Sequence, residues 1–126
     1  KDFQQLYLVR KYILKKNDTK IISCKTIKDA NMFAFSSRNN LLSKAELVKA
    51  KKVSKEIFSL KKSLSKSKNI KNLIIKKKKE LIDSFNVKFD YLELRNIFNL
   101  KESIKTKNSR LFVAYYINKV RLIDNF

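Results

Sequence analysis

Two adjacent hydroxyls and a guanidinium stand together at Ser36, Ser37 and Arg38, and the amide of Asn39 follows them. An arginine offers a bidentate fork to a phosphate group, and serine hydroxyls add donors at short reach. The motif precedes a predicted helix start at Ser43 by several residues, so a phosphate need not lie on that helix's own N-terminus. The same residues also fit an ordinary polar loop, and on their own they do not decide between the two.

A second cluster lies at the start of the chain, where Lys1, Asp2 and Gln5 fall within about one helical turn. A cation, a carboxylate and an amide placed so closely could bind a phosphate, a ribose hydroxyl and a small polar substrate. They could equally form the solvated first turn of an amphipathic helix, in which Asp2 complements the dipole. A third cluster, Arg121 and Asp124, is predicted to pair internally or to fix the end of the chain.

Hydrophobic spacing indicates the elements that must position these clusters. Apolar residues three and four apart predict a helix over residues 3–16, which Asn17-Asp18 interrupts, and the β-branched run over residues 20–24 predicts a buried strand. A helix followed by such a strand is typical of the closing part of a parallel α/β domain. Ser43 to Glu46 fits a capping box, behind which helical spacing continues to Leu64.

Further along the chain, the pattern changes from helix to strand. Asn69 is predicted to cap another helix, and the alternation over residues 87–91 predicts a half-buried strand. A second β-rich run covers residues 110–117, and Asn118-Lys119 would join it to residues 120–124 in a tight hairpin. Asparagine suits that turn because it tolerates a positive φ better than other non-glycine residues.

The composition leaves two interpretations of the charge open. A net charge of +20 is typical of proteins that bind nucleic acid, and the run Lys76–Lys79 could form a phosphate stripe or a solvated helix face. The chain has no glycine or proline, and only five of its 31 basic residues are arginines. Codon bias in an AT-rich genome would produce the same excess of lysine without any polyanionic partner.

The chain lacks the residues that several classes of site require. It has no histidine, and its single cysteine, Cys24, excludes an internal disulfide and cannot form a zinc site by itself. No apolar run approaches the roughly 18 residues of a membrane span, so we expect no membrane partner and a cytoplasmic location. Because no methionine precedes Lys1, we expect the chain to be a piece of a longer protein.

Taken together, the motifs resemble one enzyme family. KDFQQ at residues 1–5, SSRNNLLS at 36–43, FDYLELRN at 89–96 and VRLIDN at 120–125 are similar in order and spacing to motifs of the pantoate–β-alanine ligases, or pantothenate synthetases. The resemblance covers the whole chain but only the C-terminal portion of a family member. It implies an ATP-dependent ligase that condenses pantoate with β-alanine through a pantoyl adenylate.

The resemblance also implies roles for the N-terminal cluster. Lys1 would contact the phosphates of ATP and take part in catalysis, Asp2 would bind the ribose, and Gln5 would hydrogen-bond pantoate. ATP and Mg²⁺ are the implied cofactors, no metal ligand is implied among these residues, and the full-length protein would be a homodimer. A nucleic-acid partner is not implied.

In the same resemblance, Ser36, Ser37 and Arg38 occupy the place of the loop that closes over the triphosphate in class I aminoacyl-tRNA synthetases. Ser36 and Ser37 would bind the departing phosphates, and Arg38 would offset the charge that develops as pyrophosphate leaves. Several residues depart from the family pattern. Met32 and Asn118 stand where glycines are expected, Lys25 replaces a proline, and Phe35 replaces the methionine before the motif. A loop that needs a positive φ would be strained at Met32.

The predicted fold class is α/β, mixed α+β in the part present. Residues 1–28 are expected to end a Rossmann-like nucleotide-binding domain, and residues 29–126 to form a C-terminal lid domain of helices and a short antiparallel sheet. The fragment alone is expected to be inactive. The alternative is a small basic RNA-binding or ribosome-associated protein, supported by the charge and the interleaved aromatic residues.

Overall fold

The computed structural model describes residues 1–13 and 20–126, and within them three α-helices and one 3-10 helix accompany an antiparallel sheet. The elements, in chain order, are α1 (Phe3–Tyr12), the 3-10 helix (Ser37–Leu41), α2 (Lys44–Leu64), α3 (Ile70–Phe85), β1 (Lys88–Asn96), β2 (Ser109–Ile117) and β3 (Val120–Asn125). The mixed α+β architecture predicted from the sequence is therefore confirmed. The predicted end of the first helix and the break at Asn17-Asp18 lie outside the described residues.

The first helix and the segment after it differ most from expectation. None of the ten residues of α1 is buried. The strand predicted over residues 20–24 is wrong, because these residues form no strand and Ile22 is 76% exposed. A strand requires a neighbour for its backbone hydrogen bonds, and the described residues pair only as β1, β2 and β3 apart from two isolated bridges.

Helix α2 begins with the predicted capping box. Ser43 Oγ accepts from the Glu46 amide at 3.3 Å, and Glu46 Oε2 accepts from the Ser43 amide at 2.7 Å. Leu42 and Leu47, at the two positions of a hydrophobic staple, each pack against the core. The backbone hydrogen bond from Ser43 lowers the pKa of Glu46, because it is made to the charged form.

This lowered pKa predicts an acid-sensitive helix start. Glu46 stabilises the fold above the carboxyl pKa of the unfolded chain, and that contribution is lost as the pH falls through the lower folded pKa. The melting temperature of the unsubstituted protein should therefore exceed that of Glu46→Gln at pH 7, and the difference between the two should vanish in acid. Thermal melts of both proteins followed by circular dichroism test this. A difference that stays constant with pH would show that the charge of Glu46 contributes nothing.

Helix α3 also matches its sequence signals. Asn69 Oδ1 accepts from the Asn72 amide at 3.1 Å, which confirms the predicted N-cap. The helix ends at Asn86, whose φ of 48° is the left-handed conformation in which many helices end. Ile70, Ile74 and Leu81 form its buried face.

The sheet has the order β1-β2-β3, with β2 in the centre. The predicted hairpin is confirmed: Ile117 pairs with Val120, and Asn118 has a φ of 50°. In β1 the predicted alternation changes at a bulge, since Phe89 pairs with Tyr115 while Tyr91 pairs with Ala114. Asp90 is the extra residue, and bulges of this kind redirect side chains.

The core lies between the sheet and helices α2 and α3. From β2 it takes Leu111, Val113, Tyr115 and Ile117, which share one face of the strand. On the opposite face Phe112 contacts Phe3 of α1, with ring centroids 5.7 Å apart. The sheet therefore has the two long helices on one side and the start of α1 on the other. No helix within the described part of the chain is long and apolar enough to cross a membrane.

Candidate functional site

The Ser36–Arg38 motif forms a tight turn at the start of the 3-10 helix. Ser36 is its N-cap, and Ser36 Oγ accepts from the Arg38 amide at 3.3 Å. Asn39 Nδ2 donates to the Ala34 carbonyl at 3.2 Å, which ties the turn back to the preceding loop. Ser37 and Arg38 are exposed. The motif therefore holds itself in shape through Ser36 and Asn39, and presents a hydroxyl and a guanidinium to solvent.

Arg38 is linked to the bulged part of the sheet. Its Nη1 lies 3.5 Å from the carbonyl oxygen of Arg121, a weak hydrogen bond. Arg121 itself pairs with Asp90, with Nε and Oδ2 2.7 Å apart. Donation of a hydrogen bond to the Asp90 carboxylate raises the pKa of Arg121, so this cation stays charged. The predicted internal pairing of Arg121 with Asp124 is therefore wrong, because the bulge brings Asp90 to Arg121 instead.

Asp124 pairs with Lys28, a contact that spans most of the chain. Lys28 Nζ lies 2.8 Å from Asp124 Oδ2, and the two side chains are only 12% and 7% exposed. Burial lowers the pKa of Lys28 and raises that of Asp124, and in each case the partner's charge opposes the shift. Lys28 Nζ also donates to the Asn125 carbonyl at 3.0 Å and lies 3.5 Å from the centre of the Phe126 ring. The end of β3 is therefore fixed, as the sequence allowed, but by a residue it did not indicate.

The N-terminal cluster is held by Asn125. Asn125 Nδ2 donates to the Lys1 carbonyl at 2.9 Å, and Asn125 Oδ1 accepts from Arg110 Nη1 at 2.9 Å. Within the cluster, Lys1 Nζ and Asp2 Oδ2 are 2.9 Å apart, and Gln5 is exposed on α1. The Arg110 guanidinium carbon lies 4.7 Å from the centre of the Phe3 ring, which secures the first turn of α1.

The two predicted clusters line different concavities. Lys1 and Asp2 line a broad, basic cleft with α1 on one side and residues 22–28 on another, whose lining residues include Asn125. Ser36 and Arg38 line a separate cavity of about 20 Å³, whose wall includes Asp124. That volume accommodates about one water molecule and no larger ligand. Within the described residues, the two clusters are therefore connected through β3 rather than joined in one pocket.

The loop before the motif contains Met32, at the position where the resemblance implies a glycine. Lys28 and Ala34 form a bridge across it, and Asp29 Oδ1 accepts from the amides of Asn31 and Phe33 at 2.8 and 3.1 Å. Inside this turn Met32 has a φ of 60°. The turn thus requires the left-handed conformation, which costs a residue with a Cβ roughly 1–2 kcal/mol. The predicted strain at Met32 is present.

Replacing Met32 with glycine should stabilise the protein. Met32→Gly removes the steric cost of the positive φ. The larger conformational entropy of glycine in the unfolded chain opposes this gain, and we expect a net increase of about 1 kcal/mol in the free energy of unfolding. Urea denaturation at neutral pH measures it. The matched control Met32→Ala loses the same side chain and keeps the Cβ, so it should show no gain. Equal effects of the two substitutions would place the strain elsewhere.

No sequence pattern indicates three of the residues that position these clusters. Lys28 and Arg110 resembled the other solvated cations, and Asn125 is separated from Lys1 by 124 positions. Lys28 and Asn125 are distinguished by burial, and Arg110 by its hydrogen bond to Asn125. Each of these features depends on contacts between residues distant in sequence. The terminal motif VRLIDN did contain two of the contacting residues, Asp124 and Asn125, although their partners were not predicted.

The run Lys76–Lys79 lies within α3. Lys77 Nζ lies 3.2 Å from Glu56 Oε2 and 3.0 Å from Glu80 Oε2, so it joins α3 to α2. The hydrogen bonds that Lys77 donates to these carboxylates raise its pKa, and the one to Glu80 is the larger cause. Lys76 and Lys79 are exposed. The run is therefore split between a structural ion pair and solvated cations.

Comparison with known proteins gives consistent results over the whole chain. A family model described as pantoate-beta-alanine ligase matches residues 1–126. A pantothenate synthetase of Flavobacterium psychrophilum is 37% identical over 129 residues, covering 99% of this chain and 45% of the relative. One from Clostridium acetobutylicum is 36% identical over 129 residues, covering 100% of this chain and 46% of the relative. The chain thus spans about half the length of the curated relatives it matches.

Solved structures show the same correspondence. A pantothenate synthetase from Thermus thermophilus matches with a TM-score of 0.87 at 23% identity, over 100% of this chain and 46% of that chain, which shows a shared fold. A pantoate-beta-alanine ligase from Francisella tularensis, complexed with beta-gamma ATP and beta-alanine, matches with a TM-score of 0.69 at 32% identity, over 100% of this chain and 40% of that chain. The predicted resemblance and fold class are confirmed.

Proposed function

This chain belongs to the pantoate–β-alanine ligase family, and we propose that it supplies the C-terminal part of an enzyme that joins pantoate to β-alanine with ATP. The observation that carries the proposal most directly is the self-capped turn of Ser36 to Arg38, which presents an exposed guanidinium on a fixed backbone. The Francisella tularensis ligase, complexed with beta-gamma ATP and beta-alanine, supports the same ligands here.

The proposed reaction has two steps. The pantoate carboxylate attacks the α-phosphorus of ATP, forming pantoyl adenylate while the bond to pyrophosphate breaks. The amine of β-alanine then attacks the acyl carbon and AMP leaves, which gives pantothenate after loss of a proton from nitrogen. No protein nucleophile is required, so positioning and electrostatic stabilisation must supply the rate.

The residues fit the phosphate-binding part of this reaction. Arg38 and Ser37 are exposed, and Ser36 uses its oxygen as an acceptor for the Arg38 amide, which leaves its hydroxyl proton to donate. We propose that these three residues bind the departing pyrophosphate, with Arg38 compensating its growing charge. Lys1 would contact the phosphates once its ammonium exchanges Asp2 for the nucleotide, Asp2 would then accept from the ribose, and Gln5 would bind pantoate.

The proposal includes Mg²⁺, which would bind together with ATP. Among the described residues there is no group of three or more histidine, cysteine or carboxylate side chains placed to hold a metal ion. Mg²⁺ characteristically keeps several waters and binds substrate phosphates with one or two carboxylates. In this proposal Asp2 stays with the ribose, and the Mg²⁺ ion would neutralise charge on the phosphates.

The division of the chain into domains is proposed at about residue 28. Within residues 1–13 and 20–126, the buried core begins at Phe33, and neither α1 nor residues 20–28 contribute a buried residue. We propose that residues 1–28 complete a Rossmann-like nucleotide-binding domain and that residues 29–126 form a lid over it. A chain of this extent would be inactive alone, and the whole protein would act as a cytoplasmic homodimer.

Pyrophosphate exchange tests the proposed activity. This chain should be joined to the part of the Flavobacterium psychrophilum enzyme that it does not cover, and assayed for incorporation of labelled pyrophosphate into ATP. Exchange is expected only with pantoate present, because the adenylate forms from it, and none is expected from the 126-residue chain alone. Absence of exchange, under conditions in which the parent enzyme is active, would refute the proposed catalytic function.

A further inference from the structure

The last two residues of β3 each hold one of the segments that carry the candidate site. We propose that Asp124 and Asn125 together form a positioning element, in which Asp124 fixes the loop before Ser36 and Asn125 fixes the first turn of α1. The proposal that they fix these segments stands on the contacts alone. Its consequence for catalysis rests on the proposed function.

Both polar atoms of the Asn125 side-chain amide form hydrogen bonds. The side chain is buried, with Nδ2 donating to the Lys1 carbonyl and Oδ1 accepting from Arg110, each at 2.9 Å. An amide turned over would place its donors against Arg110 and its acceptor against a carbonyl oxygen, so only one orientation satisfies both partners. The Lys1 carbonyl is therefore held at a defined distance from β2.

The position of α1 depends on this contact because the helix has few others. None of its residues is buried, and its first aromatic residue, Phe3, packs between Phe112 and Arg110. Asn125 pairs with Phe112 in the sheet, so the hydrogen bond and the aromatic contact lie on the same face. Both act at the N-terminal end of α1, where Lys1 and Asp2 lie.

Asp124 holds the other segment through one carboxylate oxygen. Oδ2 binds Lys28 at 2.8 Å, while Oδ1 accepts from the backbone N–H of Asn125 at 2.7 Å, which fixes the orientation of the carboxylate. Lys28 forms the bridge with Ala34, two residues before Ser36. Asp124 pairs with Val113, a core residue, and therefore lies on the face of the sheet opposite to Asn125. The base of the Ser36 loop is thus fixed from that face.

Consecutive strand residues are about 3.3 Å apart, and β3 is paired with β2 along its length. A rigid strand end that holds Lys1 through one residue and Lys28 through the next defines the separation of the two clusters. Reactions that rely on positioning lose rate when reacting groups are displaced by as little as about 1 Å. Asp124 and Asn125 would therefore influence catalysis without contacting substrate.

Hydrogen–deuterium exchange on the 126-residue chain distinguishes the effect of Asn125 on α1 from the effect of Asp124 on the loop before Ser36. Asn125→Asp keeps the oxygen that accepts from Arg110 and removes the donor to Lys1, so amides of α1 should exchange about tenfold faster while those of the loop are unchanged. Asp124→Asn cannot accept from both partners, and should accelerate the Phe33 and Phe35 amides by a similar factor without affecting α1. The control Glu93→Gln, on β1, should change neither segment.

The outcome is decisive in either direction. If each variant speeds amide exchange in both segments, or in neither, Asp124 and Asn125 are not separate anchors. In the joined enzyme described above, Asn125→Asp should also lower kcat for pyrophosphate exchange by about tenfold with a melting temperature equal to that of Glu93→Gln. Normal kcat with faster exchange of α1 would remove the link to catalysis. If the unsubstituted joined enzyme shows no exchange activity, the proposed function fails while the hydrogen-exchange result still tests the anchors.

Discussion

Replacing Arg38 with alanine is expected to lower kcat of the joined ligase by at least about 100-fold, because a preorganised cation aimed at a developing negative charge is typically worth that much. Arg38 stands on a turn that Ser36 and Asn39 hold in shape, and its guanidinium is exposed and only weakly bonded to the Arg121 carbonyl. Its removal should therefore leave the fold intact. Steady-state rates of pantothenate formation at saturating ATP measure the effect.

Two controls separate charge from geometry at this position. Arg38→Lys keeps the positive charge and loses the planar fork, so its kcat should lie between those of the alanine variant and the unsubstituted enzyme. Lys44→Ala removes an exposed positive charge from the start of α2 and should change kcat by less than about twofold, because solvent screens it. If Lys44→Ala and Arg38→Ala had equal effects, general electrostatic attraction would explain the loss and Arg38 would have no specific role.

Replacing Lys28 with methionine is expected to lower the free energy of unfolding by about 3 kcal/mol, since it leaves the Asp124 carboxylate buried without its partner. Burial already raises the pKa of Asp124, and loss of Lys28 removes the charge that opposes this rise. A folded state with the higher carboxyl pKa loses stability as the pH increases from the unfolded value toward the folded one. The deficit of Lys28→Met should therefore be larger at pH 7 than in mild acid, and urea denaturation at several pH values measures it.

The matched substitutions make this prediction specific. Lys28→Arg retains a cation and should recover most of the lost stability. The double variant Lys28→Met with Asp124→Leu removes both charges, and should be more stable than Lys28→Met because no buried charge is left unpaired. The effect of Asp124→Leu alone on the free energy of unfolding supplies the reference. If Asp124→Leu destabilises Lys28→Met by the same amount as it destabilises the unsubstituted protein, the two residues do not interact energetically.

Local signals explain why much of this fold could be predicted. The capping box of Ser43 and Glu46, the N-cap Asn69 and the turn at Asn118 each depend on residues within about four positions of one another. Such contacts form in any context that leaves the segment helical or paired. The self-capped turn at Ser36 is of the same kind, although its phosphate-binding role was suggested by the resemblance and remains a proposal.

The contacts that were not predicted depend on positions far apart in the chain. Lys28 and Asp124 meet only because the loop and β3 lie side by side, and no periodicity in either segment indicates it. Of the two alternatives for Arg121 and Asp124, their mutual pairing was wrong, because the bulge at Asp90 cannot be recognised from alternation alone. The strand expected over residues 20–24 was wrong for the same reason, since β-branched composition does not supply a neighbouring strand.

The positive φ angles have a consequence for the unfolded chain as well. Within the described residues they occur at Met32, Asn86, Leu100, Asn108 and Asn118, all of which are positions where a glycine would be unstrained. A chain without glycine has fewer accessible backbone conformations before it folds, and so loses less entropy on folding. The local strain at these turns is thus partly offset by a narrower unfolded ensemble, and three of the five turns use asparagine, the residue that tolerates the left-handed region best.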